Sequence, residues 1–485
     1  MKLNELKITN DYFDFDEKFY HKVNPTPLKN PHLISFNKLM FDELALDYDE
    51  ALNEEFVKFI NGEKILENQT CFAMAYAGHQ FGYFVPQLGD GRAINFGKIK
   101  SWHLQTKGAG LTRYSRQGDG RAVLRSSIRE YIMSEAMHAL NIPTTRALGI
   151  IGSTHGVFRN YGESETGSIV LRVSPSWIRI GTFEFFARAK NSKENITKLA
   201  DYVIKESYPH LENDENKYEK MFFEMVDKTA SLMAKWQAYG FMHGVMNTDN
   251  FSMAGLTIDY GPFAFMDYFN INQICNHTDI EGRYSFNNQP YVARWNLEVL
   301  ANTLKEICDI KKLMEYLKSY FHIQEKEYLS LMAKRLGLDV SKSSDSYAGF
   351  IIEFLKAMQN SKTDYNQFFY ELTICKDFDE IKKVVDISIY RQGLDIWLNK
   401  YIEIRKTENS SFEEVQKAMK KVNPKFIIKN YMLQEAIDSA ENGDFTLVND
   451  LLNIAQNPFD EHKKYDKYSK ATPMEFANIK LSCSS

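Results

Sequence analysis

The stretch HGVMNTDNFSMAGLTIDYG, residues 243–261, constrains this chain more than any other. It carries an amide at Asn250 and a carboxylate at Asp259, separated by the short apolar pieces FSM and LTI. Apolar runs of that length between polar turn residues predict two extended segments folding back as a hairpin. A hairpin would bring together two hard oxygen donors, the kind of pair that holds magnesium beside a phosphate. Taken alone, an Asn and an Asp in turns are more often local capping groups. Their company shifts the balance, because His243-Gly244 opens the segment and Asp259-Tyr260-Gly261 closes it.

The order H-x-D-x-x-x-x-N followed by Asp-aromatic-Gly is the layout of a kinase catalytic loop and metal-binding loop. His243, Asn250 and Asp259 match it, but the place of the catalytic Asp is taken by Val245. Valine can neither accept a proton nor orient a hydroxyl. Asp249 is the nearest carboxylate able to replace that base, its other role being a turn residue in Asn-Thr-Asp-Asn.

Composition narrows the class. The 485 residues are 44% hydrophobic and 14% aromatic, enough for one large two-lobed domain or a few smaller ones. With 59 basic and 64 acidic residues the net charge is −5, so nucleic acid is not an expected partner. Cys71, Cys275, Cys308, Cys375 and Cys483 are scattered and form no C-x-x-C pair. That argues against a zinc site and a secreted disulfide framework, and for a reducing compartment. The opening MKLNELKITNDYFDFDEKF is acid-rich, and no apolar run approaches membrane-spanning length. A cytoplasmic monomer with no membrane partner is the expectation.

The periodicities predict an α+β chain in a protein-kinase-like, two-lobed arrangement. Residues 1–70 are expected to form an N-terminal extension with short helices, and 71–188 a mixed N-lobe. Residues 189–460 would be a mostly helical C-lobe, and 461–485 a polar tail ending Ser-Cys-Ser-Ser. RAINFGKI, SWHLQTK, TTRALGII and GSIVLRVS read as strands, and RAVLRSSIREYIMSEAMHALN as a helix stopped by Pro143. YEKMFFEMVDKTASLMAKWQAYG keeps an apolar stripe that Gly240 is placed to end.

Between Arg92 and Arg129 lie nine Lys or Arg (92, 98, 100, 107, 113, 116, 121, 125 and 129) against the single acid Asp119. Interleaved glycines let backbone approach an anion closely, which suits a phosphate cradle better than a solvated face. Gly89-Asp90-Gly91-Arg92 and Gly118-Asp119-Gly120-Arg121 repeat one tetrapeptide, the second placed to open a helix whose amides would favour anions. Lys107 at a strand end and Glu130 on the next helix suit a phosphate-positioning pair. Arg172 and Arg179 bracket RVSPSWIRI and could grip phosphate bidentately.

With those residues in view, the chain closely resembles the selenoprotein O family, also called YdiU or UPF0061. The resemblance rests on YAGHQFGYFVPQLGDGRAINFG, KGAGLTRYSRQGDGRAVLRSSIREY, LRVSPSWIRIGTFEFFA, HGVMNTDNFSMAGLTIDYGPFAFMD, NPFDE and the Ser-Cys-Ser-Ser end. It implies a kinase-like fold and transfer of AMP from ATP to Ser, Thr or Tyr hydroxyls of proteins, the nucleotide lying reversed so that its α-phosphate faces the acceptor. Carried over, Gly89, Gly91, Arg92, Lys107, Asp119, Gly120, Arg172, Arg179 and Asp259 would bind ATP. Glu130 would pair with Lys107, Asp249 would accept the proton, and Asn250 and Asp259 would hold Mg2+ or Mn2+. UMP transfer with manganese is a further option. Cys483 stands where some members carry selenocysteine, which suggests a reversible Cys275–Cys483 disulfide. Two alternatives stay open, namely a kinase-like phosphotransferase and a non-catalytic nucleotide-binding scaffold, the latter motivated by Val245.

Overall fold

The computed structural model describes residues 1–158, 164–341, 344–408, 410–477, 479 and 481. It is α+β. Segments of apolar, β-branched and aromatic residues between glycine turns give an eight-stranded sheet in which every pairing is antiparallel. Its strands are β1 (Tyr20–Lys22), β2 (Pro31–Phe36), β3 (Phe72–Met74), β6 (Ala93–Ile99), β7 (Trp102–Lys107), β8 (Ala122–Val123), β9 (Arg146–Phe158) and β10 (Ser164–Ser174). A separate hairpin joins β4 (Gly78–Gln80) to β5 (Tyr83–Val85). The order across the sheet is β1-β3-β6-β7-β10-β9-β2, with β8 also on β10.

Both faces of this sheet are covered, which is why its central strands are buried almost throughout. One face carries Ile94, Phe96, Leu104, Leu148 and Leu171. Against it pack Phe41 of α1 (Lys38–Leu44), Ala51 of α2 (Tyr48–Ala51) and Phe56, Phe59 and Ile60 of α3 (Glu54–Asn61). The opposite face presents Ala147, Ile150 and Val170 to Ile128, Tyr131 and Ile132 of α4 (Leu124–Ala139). Alternate residues of one strand thus serve two cores, as the period of two requires.

Residues 1–70 are therefore no appendage. They supply β1 and β2 at the two ends of the main sheet and the helices that cover one whole face. β1 is only three residues long, and PHLISF of β2 shows no regular alternation, so neither is readable from sequence.

The remaining chain is mostly helical, including α5 (Ile180–Ala187), α6 (Ser192–Ser207), α7 (Lys217–Tyr239) and α8 (Gln289–Leu304). Gly240 ends α7 in the left-handed conformation (φ 74°), its N–H returning to the carbonyls of Trp236 and Gln237. FSM and LTI do not pair with each other as a hairpin. Ser252 bridges Arg179 and Thr257 bridges Thr144, so each piece finds its partner elsewhere. The short ladder here joins β11 (Phe241–Met242) to β12 (Ala264–Phe265). No helix among the described residues is long and apolar enough to cross a membrane.

The end of the chain returns to the sheet. Helices Asn430–Glu441 and Thr446–Gln456 pack on α4. Gln456 Nε2 donates to Glu135 Oε2 (2.9 Å) and to Asn37 Oδ1 (2.8 Å). Glu135 in turn holds Arg146 through two bonds, at 2.5 and 2.7 Å, with both side chains buried. Removing one member of such a pair leaves an uncompensated buried charge and costs about 3–5 kcal/mol. Glu135→Ala is thus expected to lower the denaturation midpoint clearly and to loosen the last helices, read by denaturant titration and hydrogen exchange over residues 446–456.

Candidate active site

The floor of the central cleft is built where β7, β10 and α4 meet. Gln105 and Lys107 share one face of β7, and Val170 and Arg172 lie opposite them on β10. That face looks onto α4. Lys107 Nζ donates to Glu130 Oε2 at 2.6 Å and to Asp259 Oδ1 at 2.9 Å. Arg172 reaches the other oxygen, Glu130 Oε1, at 2.9 Å, and also donates to Gln105 Oε1. Its guanidinium lies 4.8 Å over Trp177. Burial pushes the Glu130 carboxyl up, but Lys107 and Arg172 outweigh it and the net direction is down. Asp259 behaves alike: burial raises it, while Lys107, Arg179 and Arg172 hold it well below the usual carboxylate range. It remains 35% exposed to the cleft and is ionised. Its backbone is left-handed (φ 61°), a conformation Asp tolerates better than most residues.

Arg179, at the N-cap of α5, lies 4.6 Å over Tyr76 and donates to the Asp249 carbonyl at 2.9 Å. Its other edge is 3.9 Å from Asp90 Oδ1. Burial opposes its charge, but Tyr76 and the acids around it keep the guanidinium firmly protonated.

The loop following β11 is braced by His243. Nε2 donates to the Ile258 carbonyl at 2.8 Å, which leaves Nδ1 to accept the Val245 N–H at 3.3 Å. The ring stacks on Trp236, and the His243 N–H donates to Gln289. Val245 thus serves through its backbone, and its carbonyl also accepts Asn250 Nδ2 at 3.1 Å. That bond engages the amide nitrogen and leaves Asn250 Oδ1 as an acceptor.

Asp249 sits in the single turn Thr248–Asn250 and is only 6% exposed. Gln80 Nε2 donates to Oδ2 at 3.3 Å, while Oδ1 is buried with no hydrogen-bond partner. Burial pushes this carboxyl up to about 7, against the opposing pull of Arg179. A base raised in this way suits proton transfer near neutrality.

Of the two glycine tetrapeptides, only the second differs from expectation. Asp90 is not at the surface; its carboxylate accepts from Met74 N and Asn95 Nδ2, each at 3.0 Å, and pins the first turn from inside. A Cβ at Gly89 would enter the Tyr114 ring at 2.4 Å. The second tetrapeptide does not open α4, because β8 lies between them and the helix begins at Leu124. Its Arg121 instead donates to the carbonyls of Thr26, Pro27 and Gly108.

Gly89, Gly91, Arg92, Lys107, Asp119, Gly120, Arg172, Arg179, Asp249, Asn250 and Asp259 all line one cleft of about 820 Å³. Glu130 stands behind Lys107. Cys275 is buried behind the loop and does not line the cleft, and Cys483 lies outside the described residues. Leu481 nevertheless pairs beside Cys275, donating its N–H to the Cys275 carbonyl at 2.9 Å. Sequence reasoning missed Tyr76, Gln80, Gln105 and the buried role of Asp90. Only Asp90 carried a signal, as the acid of a turn tetrapeptide.

Among the described residues no group of three or more His, Cys, Asp or Glu clusters as a metal site. Asn250 and Asp259 offer a cation two hard oxygens, which fits an ion completed by phosphate oxygens and water.

The chain is similar over nearly its whole length to known proteins. The family model described as protein adenylyltransferase SelO matches residues 2–456. The chain belongs to the SelO family of protein adenylyltransferases. A protein nucleotidyltransferase YdiU of Myxococcus xanthus is 41% identical over 490 residues, covering 100% of this chain and 99% of the relative. Relatives of the same name from Pseudomonas fluorescens (strain Pf0-1) and Aliivibrio salmonicida are also 41% identical, over 489 and 488 residues. Coverage is 100% of this chain and 99% of the relative for the first, and 99% of each for the second.

A local test follows from the packing at this SelO cleft. A Cβ at Gly78 would stand 2.6 Å from Asp249 Oδ1, whereas one at Gly261 meets nothing within 4 Å. Gly78→Ala should destabilise by about 1–3 kcal/mol, as overpacking does. Gly261→Ala should stay within about 0.5 kcal/mol. Denaturation midpoints of the two variants make the comparison.

Proposed function

We propose that this chain transfers AMP from ATP to Ser, Thr or Tyr hydroxyls of protein substrates, within a kinase-like, two-lobed arrangement. The sheet with α4 would serve as the nucleotide lobe and the helical part from about residue 189 as the other. The observation that carries the reading is the pair of buried arginines. Arg172 and Arg179 add cations at the cleft floor beside Lys107, while the position of a kinase base is Val245. Cations that deep suit the β- and γ-phosphates of a reversed nucleotide, leaving the α-phosphorus near Asp249.

In this mechanism Lys107, oriented by Glu130, and the two arginines hold the phosphate chain. Asp249 takes the proton of the acceptor hydroxyl as its oxygen attacks the α-phosphorus, and the α–β bridging bond breaks to release pyrophosphate. Asn250 and Asp259 would hold a divalent cation, magnesium or manganese, whose charge offsets that of the phosphates. Base identity is read weakly by such contacts, so UMP transfer with manganese belongs to the same proposal. We also place the reversible Cys275–Cys483 disulfide here, supported by the pairing of Leu481 beside Cys275. Non-reducing peptide mapping after oxidation should recover a 275–483 cross-link, and its absence would remove that element alone.

The test of transfer uses ATP labelled at the α- or the γ-phosphate, with magnesium and acceptor protein. Label retained from α only is the expected result, and retention from γ only would make the chain a kinase. Asp259→Ala should abolish transfer. Asp249→Asn should lower turnover about 10²- to 10⁴-fold while nucleotide still binds. Full activity of Asp259→Ala would remove the metal assignment.

A further inference from the structure

The β4–β5 hairpin is stitched to the turn that carries Asp249 by three bonds. The His79 N–H donates to Thr248 Oγ1 at 2.7 Å, Gln80 Nε2 to Asp249 Oδ2 at 3.3 Å, and the Phe81 N–H to Asn247 Oδ1 at 3.2 Å. A hydroxyl that reaches Asp249 therefore does so alongside this hairpin, whose tip residue Tyr83 is 81% exposed.

Two arginines flank it. Arg188, directly after α5, lies 3.6 Å over the Phe84 ring. Arg283 lies 4.9 Å over Trp295, and its guanidinium covers the hairpin tip, where a Cβ on Gly82 would be 3.3 Å away. The His79 ring joins the two halves, 5.0 Å from Phe84 and 5.2 Å from Trp295. Among the described residues neither guanidinium makes an ion pair; Arg283 does hydrogen-bond the Tyr284 side chain, while its buried Nε has no partner. Glu184, one turn before Arg188, feels its charge but makes no ion pair with it. It faces inward, accepting from Thr248 Oγ1 and standing 2.5 Å from His79 Nδ1. The result is a positive patch on an aromatic floor, close to the reacting position.

A guanidinium laid flat on an aromatic ring keeps its planar fork in place and its N–H edge free for a carboxylate. We propose that Arg188 and Arg283 form an acceptor subsite that selects protein segments with Asp or Glu close to the modified hydroxyl. This rests on the AMP-transfer reading given above. The register follows from the hairpin. Gly78 abuts Asp249, and the next residue, His79, already belongs to the patch. An extended chain advances about 3.3 Å per residue, so an acid within about four residues of the acceptor can reach it.

The test uses the full chain with magnesium and α-labelled ATP. The acceptors are three otherwise identical Ser peptides flanked by Asp, by Gln or by Lys. The wild type should prefer the Asp over the Lys peptide by roughly fivefold to tenfold in kcat/KM, the effect of two partly exposed ion pairs. In Arg188→Ala/Arg283→Ala that preference should vanish, with activity on the Gln peptide and nucleotide affinity unchanged. Arg188→Glu, at an exposed position, should reverse it towards Lys even if the double variant folds poorly. Equal use of the Asp and Lys peptides by the wild type, or a preference that survives in both variants, would overturn the subsite and leave AMP transfer standing. Absence of label on every acceptor would instead overturn the transfer reading, and the subsite with it.

Discussion

Glu130 holds two cations at once, one on each carboxylate oxygen, and the cleft depends on that arrangement. Lys107 comes from β7, Arg172 from β10, and Glu130 from the helix packed across both strands. A buried charge is costly unless it is paired and hydrogen-bonded, so the sheet and helix must meet in one register for either to be stable. Asp259, arriving from the far side of the cleft, shares Lys107 with Glu130 and ties the loop half to the sheet half. The same network that orients the cations therefore also fixes where the two halves meet.

The loop that carries Val245 keeps its shape through several bonds. His243 spans it through Ile258 and Val245, Trp236 supports the ring, and Asn250 is clamped to the Val245 carbonyl. None of these bonds needs a carboxylate at position 245. The loop's buried acid is Asp249, which burial raises and whose one oxygen Gln80 of the β4–β5 hairpin touches. Gly78 and Gly181 permit this closeness, since a Cβ on either would crowd Asp249 or the Ala77 carbonyl.

Features carried by long periodic segments or by motif spacing were legible in the sequence. The strands at β6, β7, β9 and β10, helices α4 and α7, and the Lys107–Glu130 pair all follow from period and position. What was not legible depends on partners remote in the chain. β1 is three residues long, β2 lacks a regular alternation, and each joins the sheet through a strand remote in the chain, β3 and β9. FSM and LTI looked like partners, yet Arg179 and Thr144 offer each a nearer edge. The second glycine tetrapeptide looked like a helix start, but β8 intervenes and pairs with β10. Tyr76 under Arg179 had no local signal, because only folding brings those two segments together.

The central claim concerns the direction in which the triphosphate lies. A crystal structure with a non-hydrolysable ATP analogue and magnesium measures it directly. The α-phosphorus should sit beside the Asp249 carboxylate, with the terminal phosphate among Lys107, Arg172 and Arg179. A terminal phosphate pointing outward past Asp249, with the α-phosphate innermost, would contradict the claim.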